Sequence, residues 1–245
     1  MIINNIYYYL LMEIVKEKNT STENEKTLVC NKGNMILESY KKDLKKAYLL
    51  KYDFNNLNPN KVSIKALLGI GIYELLEKIN SDLIEKIIIL NVLNTNEIDI
   101  CILLKHIAKE IGIKQKYLLF RTTRGLNYKT GKIVFYNKDL SLINPEVKEK
   151  YLKQLNTSQN IDLNKYEQLI LNYGKTTINI NNLDFNELSK LDNNENFNNI
   201  LNINFEFDFQ ILISDDLPLY MENLIGLMFK KIFYNLKQFI DKLNN

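Results

Sequence analysis

The chain has 245 residues, 46% hydrophobic and 25% charged, and its 32 basic and 29 acidic residues leave a net charge of +3. That balance excludes a disordered polar chain. It is also too small to call for a nucleic-acid or membrane partner by itself. Asn, Ile, Lys, Leu and Tyr are used heavily, as the codons of an AT-rich genome dictate, so single lysines and asparagines carry little signal.

Cys30 and Cys101 lie far apart and form no metal motif or disulfide framework, which places the chain in a reducing, intracellular setting, cytoplasm or nucleus. No cofactor motif is present. At the start, Ile3, Ile6, Tyr7, Leu10, Leu11 and Ile14 make a short amphipathic face rather than a signal peptide. No run reaches the roughly 18 apolar residues of a membrane span.

In chain order, Asn34 caps a predicted helix to Lys46, and Tyr48 to Phe54 reads as a strand. A helix is expected over Ser63–Ile79. Its Gly69-Ile70-Gly71 falls mid-helix, where glycines serve close packing rather than phosphate binding. The β-branched run Ile84–Leu93 reads as a central strand covered on both faces. Asn94-Thr95-Asn96 then opens an expected helix to Gly112, with Cys101 on its buried side and His106 on its polar side. A lone histidine there is a surface residue.

Tyr117–Thr123 and Lys132–Tyr136 read as strands joined by the loop Arg124–Gly131. Pro145 opens a helix to Leu155, and residues 156–160 are a weak internal boundary in what is otherwise one domain. Leu163–Tyr173 is read as a helix stopped by Gly174. Thr176–Ile180 is a short strand, Asp184–Leu191 a short helix and Asp192–Asn199 a polar loop. The most legible stretch comes last. Ile203, Phe205, Phe207, Phe209, Ile211 and Ile213 alternate with polar residues as a half-buried strand, and a long helix follows Pro218 to Leu243. Asp215-Asp216 between them reads as a helix cap rather than a metal site.

Residues 111–138 hold Lys114, Lys116, Arg121, Arg124, Lys129, Lys132 and Lys138 and no acid, and the two arginines are the only ones in the chain. Guanidinium forks suit phosphate or carboxylate, and Tyr128 among neighbouring tyrosines offers a ring for base stacking. Glu206 and Asp208 are the alternative partners of the arginines. The fold expected is α+β, a mixed sheet of about five or six strands with helices mainly on one face and a long C-terminal helix.

The function expected is a non-catalytic subunit gripping nucleic acid or another polyanion through Arg121, Arg124, Lys116, Lys129, Lys132 and Tyr128. Two alternatives stand beside it. One is an assembly subunit that docks a protein partner by the C-terminal helix or a sheet edge. The other is an enzyme on a phosphorylated small molecule, with Arg121 and Arg124 as anion clamp.

Overall fold

The computed structural model describes residues 25–106, 114–127, 130, 132–181, 200–212 and 219–245. The described chain opens on strands β1 (Thr27–Lys32), β2 (Met35–Lys42) and β3 (Lys45–Leu57). Each connecting turn carries two residues with positive φ: Gly33 at 60° and Asn34 at 57°, then Asp43 at 52° and Leu44 at 63°. This mirror-image turn matches the twist of a hairpin. The helix expected from Asn34 is therefore two strands. Met35, Leu37 and Ser39 are buried at alternate positions, while Leu44 sits 95% exposed in the turn.

Two short helices follow, α1 (Ile64–Leu68) and α2 (Ile72–Ile79). Ser63 caps the first by accepting from the Ala66 N–H. The expected single helix breaks at Gly69-Ile70-Gly71, so these glycines separate two helices instead of packing inside one. Strands β4 (Ile84–Asn94) and β5 (Glu97–Leu104) then pair antiparallel across the two-residue turn Thr95-Asn96. Two expectations fail here. β4 is an edge strand with a largely exposed face, and residues 97–104 are a strand, not a helix. β5 is buried on both faces, which erases the two-residue period that marks a half-buried strand.

The hairpin of β6 (Gln115–Asn127) and β7 (Lys132–Asp139) comes next, then helices α3 (Leu140–Ile143) and α4 (Pro145–Gln159). The Asn144 side chain caps α4 from the Glu146 and Val147 N–H groups. Residues 156–159, marked as a boundary, are the last turn of that helix, and Asn160 ends it with φ at 52°. Leu163–Tyr173 is not helical beyond the single turn Leu163–Lys165. It supplies the short β8 (Tyr166–Gln168) and the start of β9 (Ile170–Asn181). The described chain closes with β10 (Leu201–Leu212) and α5 (Leu219–Asn244). The expected amphipathic start, the helix at 184–191, the loop at 192–199 and the cap at Asp215-Asp216 lie outside the described residues.

The strands form one sheet in the order β1-β2-β3-β10-β9-β7-β6-β5-β4, with β8 beside β6. Every pairing is antiparallel except the parallel β6–β8 contact. The expected mixed sheet of five or six strands is thus corrected to ten strands, essentially antiparallel. Several of them hid in stretches whose apolar residues also fit a helical spacing.

One face of this sheet holds the main core, packed against α1, α2 and α5. Phe205, Phe207 and Phe209 of β10 face α5, where Phe233 lies 5.4 Å from the Phe205 and Phe207 ring centres and Phe229 lies 5.1 Å from Phe209. The C-terminal half of α5 is also tied by polar contacts. Buried Asn80 donates to the Ile232 carbonyl and accepts from Asn235, and Lys61 donates to the carbonyls of Asn244 and Asn245. The opposite face of β5 and β6 carries a second, smaller core beneath α4, built from Cys101, Leu103, Leu119, Tyr151 and Leu155.

Candidate ligand cavity

Between the concave face of the sheet and the helices α2 and α5 lies a void of about 90 Å³. Alternation along the strands supplies its walls. Leu118 and Phe120 of β6, Phe135 of β7, Ile178 of β9 and Phe207 of β10 all point inward. Ile72 and Leu76 of α2 and Phe229 and Phe233 of α5 close the other side. Among the described residues that line it, none is charged, and the polar groups are Tyr73, Asn137 and Thr176. A dry surround of this size is stable only when it is apolar, because water needs two to four polar partners.

Those polar groups are not scattered. Thr122 of β6 and Asn137 of β7 are cross-strand partners. The Thr122 hydroxyl donates to Asn137 Oδ1 at 2.5 Å, and the Tyr73 phenol of α2 lies 2.8 Å from Thr122 Oγ1 and 3.3 Å from Asn137 Oδ1. Burial pushes the Tyr73 phenol up to about 12, an effect that the Thr122 hydroxyl partly offsets. It is therefore an un-ionised hydrogen-bonding group at neutral pH.

The expected anion site is arranged quite differently. Arg121 donates from Nε to Asp99 Oδ1 at 2.7 Å and from Nη2 to Asp99 Oδ2 at 3.0 Å, with Glu97 3.6 Å from Nη1. Asp99 is fully buried and also accepts from the Tyr151 phenol at 2.8 Å. The hydrogen bond to Asp99 raises the Arg121 guanidinium above its ordinary value. Lys116 is paired with Glu167. Arg124 reaches Asn96 Oδ1 at 3.4 Å and lines a separate open cleft with Lys65 and Gly69–Gly71. Lys132 is exposed at the start of β7. Tyr128 and Lys129 lie outside the described residues.

Glu206 and Asp208 do not neutralise the arginines. Glu206 stands opposite Lys51 in register, and Asp208 accepts from the phenols of Tyr40 and Tyr173. The signal that would have located the true partners is local. Asp99 and Arg121 are directly paired across β5 and β6, which follows once residues 97–104 are read as a strand. His106 is exposed just beyond β5 rather than on a helix.

Neither a family model nor a curated protein sequence matches the chain. Solved structures do resemble it. Human StAR-related lipid transfer protein 5 aligns over 99% of this chain and 98% of its own at 6% identity, with a TM-score of 0.62. Human STARD10 aligns over 93% of this chain and 78% of its own at 8% identity and a TM-score of 0.59. A STAR-related lipid transfer protein fragment from Xanthomonas axonopodis covers 90% of this chain and 99% of its own at 7% identity and 0.52. At such identities the likeness is one of fold, an antiparallel sheet gripped by a C-terminal helix.

This fold and the ion pairs of Arg121 and Lys116 overturn the expected nucleic-acid or polyanion subunit. The phosphorylated-substrate enzyme loses its clamp for the same reason, because Arg121 is already held by Asp99 and Glu97. The assembly-subunit alternative finds no support either: the C-terminal helix, one of the two elements expected to dock a partner, packs along this chain's own sheet. Among the described residues no helix is long and apolar enough to cross a membrane.

Proposed function

We propose that this chain binds an apolar, lipid-like molecule between the concave sheet face and the helices α2 and α5. The observation that carries this reading is the uncharged void beneath α5, walled by phenylalanine, leucine and isoleucine. Ligand sites are concave, mostly apolar and fitted with a few convergent polar groups, and this cavity has that composition. The lipid-transfer proteins whose fold it shares support the same class of ligand.

A void of about 90 Å³ takes only part of a lipid-sized molecule. Fuller occupancy requires Phe229 and Phe233 to swing outward from α5, which is held by Asn80 and Lys61 in its C-terminal half and by the Lys46 ammonium at Asn223 nearer its start. An intracellular location belongs to this reading, supported by the free cysteines Cys30 and Cys101.

The test is titration of the full chain with N-phenyl-1-naphthylamine, an uncharged fluorophore that brightens in apolar surroundings. Saturable binding at one site is expected, lost in Ile102→Trp, which fills the cavity from β5 while far-ultraviolet circular dichroism stays unchanged. Absence of saturable binding to the native chain, or binding indifferent to the filled cavity, rejects the reading.

A further inference from the structure

Resting on the apolar-ligand reading, we propose that Asn137, with Tyr73, Thr122 and Thr176 around it, is a head-group subsite for a ligand bearing one uncharged oxygen function, a hydroxyl or a carbonyl. An apolar wall gains nothing from polar residues, since each buried hydroxyl or amide costs free energy unless it is hydrogen-bonded. Here four of them share one patch where β6, β7, β9 and α2 meet.

Counting protons shows what the patch still offers. The Thr122 proton goes to Asn137 Oδ1, and the Tyr73 proton goes to Thr122 Oγ1 or Asn137 Oδ1. Both hydroxyl protons are therefore spent inside the group. The other end of the Asn137 amide, Nδ2, makes no hydrogen bond to any described residue, although the residue is only 7% exposed. Turning the amide over would exchange the two atoms and still leave one polar end unused, because both hydroxyls lie on the same side of it.

Neighbouring residues make room beside that end. Gly174 is the cross-strand partner of Asn137 on β9. A methyl group there would come within 3.5 Å of Nδ2, 3.4 Å of Asn137 Cβ and 3.2 Å of Phe207 Cε2. Glycine thus keeps open the space next to the amide. Thr176, two residues further along β9, adds a hydroxyl that lines the same cavity.

Charge decides between head groups. No cation lines the cavity among the described residues, so a carboxylate or phosphate would enter without a counter-charge and lose its hydration uncompensated. A hydroxyl can accept from Nδ2 and donate to Thr176, and a carbonyl can accept from Nδ2. The geometry therefore orients the ligand with its oxygen toward β7 and its apolar body along Phe207, Phe229 and Phe233.

The experiment displaces N-phenyl-1-naphthylamine from the native chain with decane, 1-decanol and decanoate at neutral pH. With a hydrogen-bonding subsite, decanol competes at least as well as decane, because its buried hydroxyl is satisfied. Decanoate is expected to compete about a hundredfold less well than decanol, since its charge is not. Asn137→Leu, of similar volume, should weaken decanol about tenfold and leave decane unchanged.

Decanol far weaker than decane in the native chain, or decanoate equal to decanol, overturns the subsite while leaving the apolar-ligand reading in place. Failure of the fluorophore to bind at all removes both. Should Asn137→Leu not fold, the three competitors on the native chain decide the matter without it.

Discussion

The strands β5 to β7 are built twice over, once on each face, and the two faces treat polarity in opposite ways. On the outer face, beneath α4, a fully buried carboxylate is present, and every strong partner it needs is present too: the Arg121 fork and the Tyr151 phenol converge on Asp99. On the inner face the cavity is lined by no charge among the described residues, and the neutral cluster of Tyr73, Thr122 and Asn137 leaves one amide end without a partner among them. A buried charge survives only when it is paired and hydrogen-bonded to completion, whereas a neutral amide can wait for a ligand at modest cost. The outer core is closed chemistry that holds α4 to the sheet. The inner face is open chemistry beside a void.

Breaking the outer pair should have the largest effect. Arg121→Ala strands the Asp99 carboxylate and should destabilise the chain by about 4 kcal/mol in denaturant unfolding. Probe binding in the cavity, on the opposite face of the same strand, should survive wherever the variant is still folded. Near-native stability would show that the pair is only a surface contact.

Next comes a matched pair of truncations at adjacent positions of β6. Leu119→Ala empties a fully buried site in the outer core and should cost about 3 kcal/mol. Leu118→Ala enlarges the inner void instead, so saturating probe should recover part of its loss by mass action. Recovery of Leu119→Ala by the same probe would erase the distinction between the faces.

A smaller change sharpens the picture of the main core on the concave face. The Tyr52 hydroxyl is buried without a hydrogen-bond partner among the described residues, between Phe54, Phe205 and Phe233. Tyr52→Phe should stabilise the protein by about 1 kcal/mol, seen as a higher melting temperature. Burial also raises the Tyr52 phenol well above its ordinary value. The native chain should thus lose further stability as the pH climbs above the unfolded-state value near pH 10, and Tyr52→Phe should not, so the gap between them widens in alkali.

The least effect belongs to the rim. Lys231 donates to Asp82 at 2.6 Å with both side chains half exposed, and this hydrogen bond lowers the Asp82 carboxyl. Lys231→Ala should cost less than about 0.5 kcal/mol at neutral pH. The sign follows from the lowered carboxyl: the contribution exists above the unfolded value of about 3.9 and disappears as the pH falls through the lower folded one. Native and variant melting curves should converge in acid.

Legibility in the sequence tracked exposure. β10 declared itself because one face meets the core and the other is polar, and α4 did so through its Asn144-Pro145 start. β5 did not, since burial of both faces makes Ile98, Ile100, Cys101 and Leu104 fit helical and strand spacing alike. β2 was masked in another way, because Leu44 in the turn completed a false helical stripe. Of the cavity, Phe205 and Phe207 were legible as an inward face. The polar subsite was not, because Tyr73, Thr122 and Asn137 are single polar residues in stretches where such residues usually meet water.

By itself the sequence determined the late strand, the long helix after it and the basic run at residues 111–138, for these depend on local period and local charge. Only the tertiary structure decided what they do. The register of β5 against β6 set Asp99 opposite Arg121 and turned that arginine of the basic run into half of an internal ion pair. Closure of α2 and α5 over the sheet gathered residues 73, 137 and 176 from distant stretches around one cavity, with Thr122 hydrogen-bonded to the first two. A chain shows its periods locally, but a binding site is a coincidence of positions far apart in sequence, and only the folded sheet brings them together.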